Sequence, residues 1–195
     1  MIDFSSLSFL SRFSLALLSG LLPTFLLYTK DSGAYYHLEN MFFAPYSIAL
    51  ALFVLVPFVH ANSLRFTRSL VLVAAAVVNL AFAYWLVQPL ADLFNAPLGM
   101  GPGIIPIMLP IVLSTVIISI VTALVVSITI TVRYVTIACG AGLVAGFVFP
   151  ILVLDMAACF FDCTVWNDLF FAAGWMVWHS AILIAINSGK KDLVA

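Results

Sequence analysis

The chain has 195 residues, of which 65% are apolar and 8% charged, with a net charge of −1 and a mean hydropathy of +1.25. So few polar residues cannot clothe an exterior in water, so composition excludes a soluble domain and makes lipid the outer solvent. The near-zero charge speaks against nucleic acid as a direct partner and against an acidic substrate, and residues 1–195 read as a single transmembrane domain.

A spanning helix needs about 20 mostly apolar residues. The first such run is 9–29, broken only by Arg12. It resembles a signal-peptide core, but no small-x-small cleavage site precedes the polar stretch after Thr29, so it reads as a retained helix. Ala16, Gly20 and Thr24 recur along it at a spacing that lets a second backbone approach closely. Pro23 stands in its interior, where a kink is expected. The second run is 41–61, reached through a loop that holds His37 and Glu39.

The third run is 69–91, with Ala75, Asn79 and Ala83 on one face. A bare amide in hydrocarbon costs several kcal/mol, so Asn79 should hydrogen-bond across to another helix; a place on a polar path is the alternative. The segment NAPLGMGPG, 95–103, reads as an outer turn. From Gly103 to Phe161 only Arg133 and Asp155 interrupt an apolar stretch that would be ~88 Å long as one helix. It must fold back, with Arg133 as the natural turn and Gly140 or Gly142 as the alternative. This gives helices at 106–131 and 134–159.

The fourth helix carries Thr115, Ser119, Thr122 and Thr129 on one face. Such hydroxyls can bond the carbonyl four residues back and simply pack, or they can line a hydrated path. The fifth carries Ala138, Gly142, Gly146 and Pro150, each four residues apart, a stripe suited to close helix packing within the bundle or with a second copy. The sixth, 166–187, contains Trp175, Trp178 and His179. His179 is expected to hydrogen-bond in the core. Haem ligation with His60 has no further signal to support it.

Orientation follows from the loops. With the N-terminus cytoplasmic, Arg12, Arg65, Arg68, Arg133, Lys190 and Lys191 all fall inside, and only Lys30 lies outside. That bias is the positive-inside pattern. The expected architecture is therefore an all-α, polytopic membrane helix bundle of about six transmembrane helices, N-in and C-in. The short loops and the Lys/Arg bias suggest a bacterial inner membrane.

Chemistry-bearing residues are sparse. His37, Asp155, Asp162 and Asp168 fall toward the outer face and form a weak cation site at best; a solvated acidic rim is the simpler reading. Cys159 and Cys163, one helical turn apart on that side, could form a disulfide. There is no nucleophile elbow, paired-carboxylate site or phosphate-cradling glycine loop. The expectation is a protein that is no enzyme and uses no cofactor. It reads as a scaffold, anchor or sensor subunit of a secretion, respiratory or phage-defence system, surrounded by membrane lipids. It would assemble with itself or with a cytoplasmic partner. Arg65, Arg68, Arg133, Lys190 and Lys191 would contact that partner or lipid headgroups. The alternative is a small channel or facilitator for a neutral solute, with Asn79, Thr115, Ser119 and Thr122 along its path.

Overall fold

In a computed structural model, the structure describes residues 7–28, 43–59, 64–94, 105–153 and 164–189. Each apolar run becomes a helix: α1 Phe9–Tyr28, α2 Phe43–Ala49, α3 Arg65–Leu93, α4 Ile105–Val126, α5 Val132–Val153 and α6 Thr164–Ser188. The cause is general. In lipid, a backbone amide has no water to bond, so the segment must satisfy its own donors and acceptors. The result is an all-α bundle. Among the described residues, three helices are long and apolar enough to cross a membrane: Arg65–Leu93, Ile105–Val126 and Val132–Leu152. They bury only part of themselves in the protein. On α3, Phe66 is 77% and Trp85 69% exposed, as lipid-facing residues would be.

The packing order is α3 on α4, α4 on α5, α5 on α6 and α6 on α1, so the last helix closes the bundle against the first. Small residues set the distances. A Cβ on Gly20 would lie 2.5 Å from the backbone nitrogen of Met176 in α6. One on Gly146 would lie 2.9 Å from the Met108 carbonyl oxygen of α4, and one on Gly142 would be 3.2 Å from Val112. The stripes at Ala16 and Gly20 and at Ala138, Gly142 and Gly146 thus face inward, with Ala16 and Ala138 fully buried. Both glycine-lined seams lie within one chain.

Helix ends follow local chemistry. Ser8 caps α1: its Oγ accepts from the Ser11 amide at 3.2 Å. The reversal between α4 and α5 comes just before Arg133, with neither Gly140 nor Gly142 at the turn. Helix α4 ends at Val126, five residues short of the expected 131, in a Schellman motif. There the Ile128 amide donates to the Ala123 carbonyl at 2.8 Å and the Ser127 amide to Leu124 at 3.4 Å. Ser127 takes the left-handed conformation, φ 62°, that this motif needs and that glycine usually supplies. Thr129 therefore lies in the connection, exposed, and leaves the hydroxyl stripe of α4. Thr131 then caps α5, accepting from the Tyr134 amide at 3.1 Å.

The second apolar run is the irregular one. After α2 the chain widens into a π-helix, Leu50–Leu55, and tightens into a 3₁₀ turn, Val56–Phe58. Pro57 gives the reason. In an α-helix its ring would strike the carbonyl of Phe53, four residues back. The wider register avoids that clash: the Val56 amide donates to Ala51, five residues back.

Candidate functional site

Several polar residues of the interior are paired by a recurring device. A Ser or Thr hydroxyl donates to a carbonyl of its own helix, which leaves its oxygen free to accept from a neighbouring helix. Thr115 donates to Ile111 at 2.8 Å and accepts from the Trp178 indole of α6 at 3.1 Å. Thr24 lies 3.2 Å from the Gly20 carbonyl oxygen and 2.5 Å from the Tyr46 hydroxyl of α2, within hydrogen-bond reach of both. Ser19 donates to Ala16 at 2.7 Å and lies 2.7 Å from His179 Nδ1 of α6. Asn79 of α3 donates its amide to Ser114 Oγ of α4 at 2.6 Å. Tyr134 of α5 donates to the Ser119 carbonyl of α4 at 2.6 Å.

Thr115, Ser119 and Thr122 are fully buried, and each donates to the carbonyl four residues before it. Asn79 is buried as well. The stripe on α4 and the amide on α3 are thus places where helices meet.

Aromatic rings fill the space between these contacts. Tyr46 stacks on Trp175 with centroids 4.2 Å apart. Phe149 of α5 meets Trp175 and Trp178 edge-on at 5.2 and 5.4 Å. Trp175 meets His179 at 5.7 Å. Arg12 is only 3% exposed, and its guanidinium sits 4.4 Å from the centroid of Phe58, a cation–π contact between the start of α1 and the end of the second run.

The remaining expected site residues lie at helix starts or outside the described residues. Arg65 and Arg68 lie in the first turn of α3, half-buried, and Arg133 is exposed in the first turn of α5. Asp168 lies in α6, but its side chain is outside the described residues, as are His37, Asp155, Cys159, Asp162, Cys163, Lys190, Lys191 and His60. Cys139 is a half-buried free thiol. Among the described residues no group of three His, Cys, Asp or Glu comes together.

The tyrosine and tryptophan contacts, and the Arg12–Phe58 stack, are not in the sequence reading. The signal for them is weak. A lone hydroxyl in an apolar helix announces that it can accept, but not from which helix. The fold and its polar interior define a multi-pass helical membrane protein. No family model, no curated protein and no solved structure matches this chain.

Proposed function

We propose that this protein is a non-catalytic, six-span membrane subunit with both termini in the cytoplasm, assembling with copies of itself and with a cytoplasmic partner. The observation that carries this reading is the fully buried hydroxyl stripe Thr115, Ser119 and Thr122, with each donor engaged by its own helix. A solute path would need such groups turned to water.

The placement of the arginines supports the topology. Arg12, Arg65, Arg68 and Arg133 all stand near the starts of α1, α3 and α5. A helix dipole disfavours cations at its N-terminus. Helix stability therefore does not account for them, whereas a common cytoplasmic end for the odd-numbered helices does. There Arg65, Arg68 and Arg133, with Lys190 and Lys191, would meet an acidic protein surface or anionic headgroups.

The test is affinity purification of the full chain from native membranes, compared with the double variant Arg65→Glu, Arg68→Glu. We expect a soluble protein to co-purify with the native chain and to be lost from the variant, with the variant still inserted in the same orientation. Saturable flux of a neutral solute through the native chain reconstituted alone would instead establish the facilitator reading.

A further inference from the structure

The corner where α4 turns into α5 is pinned from several sides. Only residues 127–131 separate the two helices. Ile128 is buried in the turn, and its amide donates to the Ala123 carbonyl at 2.8 Å. Tyr134, in the first turn of α5, is buried, and its hydroxyl donates to the Ser119 carbonyl at 2.6 Å. The end of α6 rests on these same two residues. A Cβ on Gly189 would meet Ile128 Cγ2 and lie 2.9 Å from Tyr134 Cδ2, so only a glycine lets the helix end approach this closely.

That contact joins charges from two distant parts of the sequence. Arg133 directly precedes Tyr134, and Lys190 and Lys191 directly follow Gly189. Consecutive Cα atoms are about 3.8 Å apart, so all three cations start within two residues of the Gly189–Tyr134 contact, and their long stems can reach a common point. No Asp or Glu occurs in residues 93–154, and Asp168 lies near the opposite end of α6. Asp192 offsets one of the three cations and leaves a local positive excess.

The neighbours of Arg133 select the counter-charge. Arg133 is exposed, as are Val132 at 86% and Ile130 at 37%. A connection this short between two spans keeps its residues at the level of the headgroups. Two branched apolar side chains and a cation therefore share the boundary between hydrocarbon and phosphate. A soluble protein docking there would meet the cations and leave Val132 facing lipid. A phospholipid answers both, its phosphate meeting the charge and its chains the apolar residues.

We propose that the corner formed by the α4–α5 turn and the end of α6 binds the headgroup of an anionic phospholipid, with Arg133, Lys190 and Lys191 as its cations. The proposal rests on the six-span reading, which sets this corner at a bilayer surface. It does not depend on which compartment that surface faces. It gives these three residues to lipid and leaves Arg65 and Arg68 to the cytoplasmic partner.

The experiment places the full chain in nanodiscs of equal parts phosphatidylglycerol and phosphatidylcholine of distinguishable mass. Native mass spectrometry then counts the lipids the chain retains on release. We expect retention of phosphatidylglycerol over phosphatidylcholine by about tenfold. Arg133→Gln with Lys190→Gln should remove most of that preference. Arg65→Gln with Arg68→Gln takes away the same number of charges elsewhere and should leave it unchanged. Gly189→Val keeps every charge but drives the end of α6 off Ile128 and Tyr134, and should cut the preference severalfold. Equal retention of the two lipids by the native chain overturns the proposal. So does an equal loss from the Arg65 and Arg68 pair, which would mean diffuse attraction to any basic surface, and so does an unchanged preference in Gly189→Val. Release of the retained phosphatidylglycerol by excess inorganic phosphate overturns it as well, because the corner would then recognise a free anion. If Gly189→Val does not fold, the two glutamine pairs decide alone. Partner co-purification and reporter topology are read separately, so failure here leaves the subunit reading standing.

Discussion

Ser127 holds a left-handed backbone without glycine's freedom, at φ 62°. That conformation costs an L-residue roughly 1–2 kcal/mol, part of which glycine gives back through its more flexible unfolded state. Ser127→Gly should therefore raise stability by roughly 0.5–1 kcal/mol, read as resistance to unfolding in detergent. Thr131→Ala should lower it by about 1 kcal/mol through loss of the α5 cap. The Thr115–Trp178 contact is suited to a double-mutant cycle with Thr115→Val and Trp178→Phe. Interhelical bonds in membranes average about 0.6 kcal/mol and reach about 1.7. With the acceptor already fixed by its own back-bond, we expect a coupling in the upper half of that range. A coupling near zero would show that the indole finds another partner. Gly20→Val should prevent closure of α1 on α6, because even one added carbon meets the Met176 backbone; loss of a cross-link between cysteines placed along that seam is the readout.

Among the elements, the second apolar run is the informative one. Its length is that of an ordinary span, yet it is not one continuous α-helix. Pro57 resets the register of the six-residue segment Leu50–Leu55 that ends two positions ahead of it. The π segment lies between two contacts with α1, Tyr46 on Thr24 and Phe58 beneath Arg12. Helices closed by i→i+5 bonds turn less per residue than α-helices, so the register alters which way Tyr46 and Phe58 face relative to each other. Pro57→Ala removes the clash and should let the segment return to α geometry. We expect Tyr46 to lose its stack on Trp175, seen as a change in tryptophan emission. Unchanged emission would mean that packing, and not the proline, holds the π register.

Much of the bundle was legible because lipid imposes one rule on every backbone, so each apolar run announced a helix. The small-residue stripes on α1 and α5 could be read for the same reason: a missing side chain permits close approach. What escaped was anything decided between helices. The end of α4 at Val126 is invisible in a Val, Ile and Thr run that continues past it, since a Schellman motif built on serine carries no glycine to mark it. His179 could be assigned to the core, yet its partner Ser19 lies 160 residues away. At the scale of the whole molecule, the proposed topology predicts that reporters at Ala195 and ahead of α1 share one compartment, and that a reporter in the segment around His37 lies in the other.

The self-bonded hydroxyls have a bearing on how the chain is made. A helix whose serines and threonines are already satisfied can leave the insertion machinery for lipid before it has any neighbour. Asn79, by contrast, finds Ser114 as soon as the next helix emerges. His179 is different, because its oxygen waits on the very first helix. Biogenesis should therefore end with α1 and α6 finding each other, and a chain arrested before residue 164 should keep an unclosed bundle that quality-control proteases remove.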